Sequence, residues 1–205
     1  MKTGKRFQMI RGFHLADWFT LANAACGVGA LFATMTYLQV HDVRHLLFAC
    51  GLTPLAMVFD VLDGRIARWR QQTSAMGREL DSLADVISFG VAPAAIAYAA
   101  GMDGLWDRIV LLYFVACGVS RLARYNITAE TLSQGGDKVK HFEGTPIPTS
   151  LLLVFAIAVA AARGEIGDRL WFGMMLIGPW RLHPLVLAFA VSGSLMISRM
   201  RIPKL

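Results

Sequence analysis

The sequence predicts an all-α membrane protein, a bundle of about six transmembrane helices preceded by a basic surface segment. Of its 205 residues, 56% are hydrophobic and only 17% are charged, and the mean hydropathy is +0.51. This composition excludes most soluble globular classes. The apolar residues also form runs near the roughly 20 residues that a spanning helix needs. We expect one membrane domain over residues 1–205.

The apolar runs give the predicted elements in order. Residues 1–16 are interpreted as a basic juxtamembrane segment and not as a cleavable signal peptide, because their first apolar run leads directly into a full span. The stretch 170–178 is too short to cross and is followed by Pro179, which favours a half-helix or surface segment, with a seventh span as the alternative. The candidate spans cover residues 18–39, 45–67, 79–100, 108–127, 147–162 and 184–198.

Basic residues determine the predicted orientation. The net charge is +6, but the cations collect at the ends of spans and do not form one face, so no nucleic-acid partner is expected. With six spans they fall on one side, which the positive-inside rule makes cytoplasmic. We therefore expect a multi-pass protein of the cell membrane. The cations are Lys2, Lys5, Arg6, Arg11, Arg68, Arg70, Arg78, Lys138, Lys140, Arg199, Arg201 and Lys204.

Four aspartates lie within or beside the second and third spans. Asp60 and Asp63 are three residues apart, and Asp81 and Asp85 are four apart, so each pair shares a helix face. A carboxylate at a helix centre costs about 2.5 to 3.5 kcal/mol to insert, so four together require compensation. If a loop over 69–78 makes the two helices antiparallel neighbours, all four carboxylates meet near the cytoplasmic surface.

Oxygen ligands without histidine or cysteine select hard cations. Mg²⁺ or Mn²⁺ is expected first, and Ca²⁺ as a non-productive occupant. Two ions are expected, because four carboxylates around one ion leave excess negative charge in a site of low dielectric. Two alternatives stay open at this point: a structural cluster paired with Arg65, Arg68 and Arg78, and an ion-transport pathway.

Small residues accompany the acids. Gly64 and Ala67 leave a groove beside the carboxylates, and Gly77 permits close approach before the third span. Arg68 carries a planar cationic group suited to phosphate oxygens. Metals, an arginine and a small-residue groove together indicate a site for a nucleotide diphosphate.

The spacing over residues 60–85 resembles the signature of the CDP-alcohol phosphotransferases. It reads Asp60-x-x-Asp63-Gly64-x-x-Ala67-Arg68, followed by Gly77, Asp81 and Asp85. The resemblance implies a six-span fold, usually a homodimer, in which the hydroxyl of an acceptor displaces CMP from a CDP-linked donor. Small residues of the first span suit close helix approach in such a dimer; they are Ala22, Ala25, Cys26 and Gly29.

The same resemblance implies roles for individual residues. Asp60 and Asp81 would bridge two metals, Asp63 would complete one ion, and Asp85 would complete the other. Asp85 would also be the general base, with an active site that faces the cytoplasm. Asn23 is similar to the family's amino-terminal nucleotide contact. The CDP-binding set is completed by Gly64, Ala67, Arg68, Ser74 and Gly77.

Two further stretches, 120–126 and 142–150, are similar to the small integral-membrane phosphatidylserine synthases, and extend the resemblance over residues 18–200. It implies transfer from CDP-diacylglycerol to L-serine, giving phosphatidylserine and CMP. One departure is Thr145, where that branch often carries leucine. Glycerol 3-phosphate, an inositol phosphate, or an archaeal ether-lipid donor remain alternatives within the same reaction class.

An L-serine acceptor needs a cation for its carboxylate and acceptors for its ammonium group. Arg121 and Arg124 are candidates for the first and Asn126 and Glu143 for the second. The two arginines are equally well interpreted as positive-inside anchors, and Glu143 as a solvated loop charge. His141 and His183 show no partnering pattern and are given no catalytic role.

Overall fold

A computed structural model describes residues 14–70, 75–135, 141–198 and 201–203. Within these ranges the chain is mainly helical, which confirms the predicted all-α class. A π-helix over Val86–Val91 joins α3 to α4, and three short 3₁₀ turns cover Ile147–Thr149, Gly167–Arg169 and Pro184–Val186. The α-helices are α1 (Leu15–Val40), α2 (Val43–Arg70), α3 (Ala75–Asp85), α4 (Ala92–Ala99), α5 (Leu105–Gly135), α6 (Ser150–Ala162) and α7 (Leu187–Ile197).

Three helical stretches are long and apolar enough to cross a membrane: Leu15–Val40, Val43–Arg70 and Met76–Ala99. Ile147–Ala162 and Pro184–Ile197 are shorter apolar helices. The chain is therefore a multi-pass candidate, and the number six stays a prediction.

The predicted bounds of the loop, 69–78, are wrong. Helix α2 continues through Trp69 and Arg70, and α3 already begins at Ala75. Arginine, methionine and glutamate are good helix formers, so a helix can extend past the apolar part of a span. The long first helix also begins earlier than predicted, at Leu15, where Asp17 Oδ2 accepts a 2.7 Å hydrogen bond from the His14 backbone N–H.

The stretch predicted as a half-helix or an extra span forms a β-hairpin instead. Strands β2 (Met175–Ile177) and β3 (Trp180–Leu182) pair antiparallel, with Met175 opposite Leu182. Gly178 has a φ of +65° and is followed by Pro179, so the two residues between the strands suit a tight turn. The Trp106 indole at the start of α5 donates to the Ile177 carbonyl at 3.2 Å, which holds the hairpin to the bundle.

A second strand pair joins the segment before α6 to the residues after α7. Strand β1 (His141–Glu143) pairs antiparallel with β4 (Arg201–Pro203). Gly144 follows β1 with a φ of +76°, and any Cβ there would collide with the Met196 carbonyl. The basic segment predicted over residues 1–16 lies, up to residue 13, outside the described residues.

The apolar core lies between α1, α2, the α3–α4 unit and α5. Leu46, Phe89 and Ile96 are fully buried there. Phe114 of α5 and Phe189 of α7 meet edge to face with ring centroids 5.2 Å apart, so these two helices also pack directly. A two-residue connection makes α1 and α2 antiparallel neighbours, and α3 packs beside α1. The end of α2 and the length of α3 therefore face the first helix.

Candidate functional site

Three of the predicted acids come together where α2 and α3 meet. One carboxylate oxygen from each of Asp60, Asp63 and Asp81 lies within 4.8 Å of the other two. Asp63 is buried, and the other two are half-buried. The helical spacing of the acids in the sequence thus places them on facing surfaces of neighbouring helices, as expected.

Asp85 lies one turn further along α3 and is outside that group of three. Its Oδ1 accepts a hydrogen bond from the Asn23 Nδ2 of α1 at 3.2 Å, and both residues are buried. Asn23, predicted as a nucleotide contact, therefore reaches the predicted general base. The amide donor fixes one carboxylate oxygen of Asp85 and leaves the other for different partners.

Thr20 is a site residue that the sequence analysis missed. Its Oγ1 donates a 2.7 Å hydrogen bond to Asp63 Oδ2. Thr20 and Asn23 are three residues apart on α1, so one face of this helix presents two polar groups to the acids of α2 and α3. That spacing is the signal in the sequence that points to Thr20.

The three arginines predicted as possible structural partners do not pair with the acids. In the described part of the chain, Arg65, Arg68 and Arg78 form no ion pair with any of the four aspartates. The Oδ1 atoms of Asp81 and Asn23 are shielded from solvent and have no hydrogen-bond partner among the described residues. The clustered carboxylates of Asp60, Asp63 and Asp81, which form no ion pair with these arginines, fit a hard divalent cation better than a structural salt-bridge cluster.

The residues predicted to hold the nucleotide flank these acids. The nearest atoms to a Cβ placed on Gly64 belong to the Arg68 guanidinium, with Nη1 at 3.5 Å, so the arginine lies along the glycine. Ala67 and Gly77 are half-buried on the same two helices. Ser74 lies outside the described residues.

A π-helix begins immediately after Asp85. Such insertions widen one helical turn and are frequent at functional sites. Ser88 within it donates to the Asn23 carbonyl at 2.9 Å. A Cβ on Gly27 would lie only 2.9 Å from the Ser88 Cα, so a glycine is needed where α1 crosses this turn. The π-helix and Gly27 together hold Asn23 against Asp85.

The four predicted acceptor residues have different surroundings. The Arg121 guanidinium of α5 interacts electrostatically with Asp85, and its Nε is shielded and unpartnered among the described residues. Asn126 Nδ2 donates to Glu79 at 3.3 Å and to Ser82 at 3.1 Å, so it joins α5 to α3.

Arg124 and Glu143 are the other two predicted acceptor residues. Arg124 is exposed on α5. Glu143 lies in β1, opposite Arg201 of β4 in the backbone register, and its side chain is outside the described part of the structure. The acceptor roles of all four residues stay predictions.

A different buried carboxylate lies in the first turn of α5. Asp107 is fully buried and accepts hydrogen bonds from the backbone N–H groups of Gly104, at 3.0 Å, and His183, at 2.8 Å. Its Oδ2 is 2.6 Å from His183 Nδ1. Asp107 is therefore the partner of His183, for which the sequence showed no partnering pattern.

Comparison with known proteins identifies the family of the chain. The model of the CDP-alcohol phosphatidyltransferase family matches residues 13–197. The chain belongs to this family.

Individual relatives share much of the sequence. The chain is 42% identical over 202 residues to a CDP-diacylglycerol–serine O-phosphatidyltransferase of Saccharomyces cerevisiae, which covers 97% of this chain and 73% of the yeast protein. It is 40% identical over 138 residues to a protein of the same description from Helicobacter pylori, covering 66% of this chain and 53% of that protein. An archaetidylserine synthase of Methanothermobacter thermautotrophicus is 35% identical over 155 residues, covering 74% of this chain and 60% of that protein.

Proposed function

We propose that this chain transfers a phosphatidyl group from CDP-diacylglycerol to the hydroxyl of L-serine, giving phosphatidylserine and CMP. The observation that carries the proposal is the meeting of Asp60, Asp63 and Asp81 beside an Asp85 that is oriented by Asn23. The descriptions of the yeast and Helicobacter relatives support serine as the acceptor.

Asp60, Asp63, Asp81 and Asp85 are the residues proposed to hold two divalent cations, Mg²⁺ or Mn²⁺, with Ca²⁺ as a non-productive occupant. When bound, such ions neutralise the diphosphate and polarise the phosphorus under attack. Thr20 keeps Asp63 in a fixed orientation through its 2.7 Å hydrogen bond.

Asp85 is the proposed general base. Asn23 holds one of its oxygens at 3.2 Å, which leaves the second oxygen to accept the proton of the serine hydroxyl. The serine oxygen then forms a bond to the lipid-linked phosphorus. The bond from this phosphorus to the oxygen of CMP breaks, and CMP leaves with the electron pair.

The CDP group is proposed to lie along the small-residue face of α2. Gly64, Ala67 and Gly77 provide space, and Arg68 offers its guanidinium to phosphate oxygens. Ser74 and Asn23 complete this proposed set. Arg121 and Arg124 are the proposed partners of the acceptor carboxylate, and Asn126 and Glu143 of its ammonium group.

The proposed location is the cell membrane, with the site open to the cytoplasm. The lipid donor would reach it laterally from the bilayer, whereas serine and CMP would exchange with the cytosol. A homodimer is proposed as the working assembly. The basic residues at the ends of spans support this orientation.

The test is an acceptor panel with the purified protein. CDP-diacylglycerol, Mn²⁺ and either L-serine, glycerol 3-phosphate or an inositol phosphate are incubated, and CMP release is measured. We expect CMP with L-serine alone and phosphatidylserine as the lipid product. If no CMP is released with serine but CMP is released with a phosphorylated acceptor, that acceptor replaces serine as the proposed substrate.

One observation supports a second donor. The archaeal relative is described as an archaetidylserine synthase, so the same panel is repeated with a CDP-linked ether lipid. We expect the ratio of kcat/KM values to favour the diacyl donor. A higher value with the ether lipid would identify that compound as the substrate.

A further inference from the structure

Thr145 carries a hydroxyl to which the described part of the bundle offers no hydrogen bond. Its Oγ1 is shielded from solvent and has no hydrogen-bond partner among the described residues. Its backbone is held in place, because its N–H donates to the Leu195 carbonyl at 3.3 Å. Burying a hydroxyl without a hydrogen bond is unfavourable, so a rigidly placed and unpaired one suggests a ligand that completes it.

Thr145 lies in the same layer of the bundle as Arg121. Gly193 of α7 packs against Phe114 and Cys117 of α5, and α7 then continues to Leu195, the residue bonded to Thr145. This places Thr145 close to the next turn of α5, which contains Arg121.

A second contact leads to the same placement. A Cβ on Gly118 would lie 2.8 Å from Ile147 Cδ1, so the turn that follows Thr145 is pressed against α5. Arg121 is one helical turn beyond Gly118 on the same face. The 3₁₀ turn Ile147–Thr149 also packs against the π-helix that begins after Asp85. Arg121 therefore interacts with Asp85, and Thr145 immediately precedes a turn that packs against the helix continuing from Asp85.

We propose that Arg121 Nε and Thr145 Oγ1 form a two-donor subsite for the carboxylate of an amino-acid acceptor. The inference rests on the proposed function. A guanidinium N–H and a hydroxyl are both donors, and a carboxylate accepts from several donors at once. An acceptor held in this way by its carboxylate presents its hydroxyl toward Asp85. Thr145 is a positioning residue for this acceptor.

The chain contains a matched control four residues away. Thr149 carries the same side chain at the end of the 3₁₀ turn that follows Thr145, but its Oγ1 already donates to the Pro146 carbonyl at 2.8 Å. Replacing either threonine with valine removes a hydroxyl and preserves the shape of the side chain. Only Thr145→Val removes a hydroxyl that the described chain leaves unpaired.

The experiment measures steady-state kinetics of the full chain with CDP-diacylglycerol, L-serine and Mn²⁺. For Thr145→Val we expect the KM for serine to rise about tenfold or more, as expected when a hydrogen bond to a charged group is lost. The value of kcat and the KM for the lipid donor should stay within about twofold, because the variant does not alter the residues proposed to bind CDP-diacylglycerol. Thr145→Ser should restore the serine KM, and Thr149→Val should leave it unchanged.

A competitor series identifies the group that Thr145 contacts. Thr145→Val should weaken inhibition by 3-hydroxypropanoate, which keeps the carboxylate, more than inhibition by ethanolamine, which lacks it. The reverse order, an unchanged serine KM, or an equal effect of Thr149→Val would overturn the inference. A wild-type protein that releases no CMP with serine would instead refute the proposed function, so the two failures are distinguishable.

Discussion

The first turn and the middle of α5 lie beside buried carboxylates that differ in how their charge is satisfied. At the first turn, Asp107 accepts two backbone N–H bonds and contacts the His183 ring at 2.6 Å. Near the middle, Asp81 faces Asp60 and Asp63 and keeps an oxygen with no partner in the described chain. Fourteen residues of helix, roughly 20 Å, separate Asp107 from Arg121 beside Asp85.

The difference separates an acid whose partners stabilise the fold from the acids that are proposed to hold metal ions. Asp107 ties α5 to β3 and the residues after it, and a Cβ on Gly104 would lie 2.9 Å from its Oδ2, so the site is closed by its neighbours. The acids beside the middle of α5 have hydrogen bonds that orient Asp63 and Asp85 without neutralising them. Unpaired buried charge is costly, and it is retained here where a cation can offset it.

The largest expected effect comes from Asp85→Asn. Activity per folded molecule should fall by about a thousandfold, within the range of lost general-base catalysis. The unfolding midpoint in detergent should not fall, since a charge is removed from a cluster of like charges. CMP release and thermal unfolding are measured on the same preparation. Retained turnover, or a large loss of stability, would contradict the distinction between Asp107 and the aspartates of the candidate site.

Asp107→Ala should have the opposite profile. Removing one member of the buried pair leaves His183 and two backbone donors unsatisfied, and breaking such a pair costs about 3 to 5 kcal/mol. The unfolding midpoint should drop, whereas kcat of the molecules that remain folded should stay close to the wild-type value. Asp81→Ala is the matched control, which should abolish turnover without a comparable loss of stability in metal-free buffer.

Mn²⁺ should stabilise the protein through the acid cluster alone. At a concentration one hundred times Kd, binding to the folded state adds about 2.7 kcal/mol. Melting curves with and without Mn²⁺ should show this rise for the wild type and lose it for Asp60→Asn. Asp107→Asn should keep the metal-dependent shift from its lower starting midpoint. A shift in the Asp60 variant equal to that of the wild type would place the ion elsewhere.

Thr20→Val is expected to give the smallest effect. Loss of its hydrogen bond to Asp63 should weaken Mn²⁺ binding about tenfold, as for other residues that orient a metal ligand. Calorimetric titration gives the affinity. Thr36→Val is the control on the same helix, because the Thr36 hydroxyl bonds only to the Phe32 carbonyl at 2.9 Å. If Thr20→Val and Thr36→Val bind Mn²⁺ with equal affinity, Thr20 does not contribute to the metal site.

The clustering of Asp60, Asp63 and Asp81 could be predicted because it depends on local rules. Helical periodicity places acids three or four residues apart on one face, and a short connection makes successive helices antiparallel. The apolar runs predicted the helices for the same reason, and helix ends deviated where helix-forming residues such as Arg70 continued past the apolar stretch. The hairpin was missed because a short apolar run does not by itself distinguish a strand from a half-helix.

The sequence by itself determined the membrane class, the helical faces of the acids and the oxygen-only character of their cluster, since these follow from composition and from spacing within a helix. Only the tertiary structure decided that Asn23 reaches Asp85, that Thr20 reaches Asp63 and that Asp107 pairs with His183. These partners lie 62, 43 and 76 residues apart in the chain. A contact over such a separation depends on how the helices pack, including the π-helix after Asp85, and no local pattern encodes it.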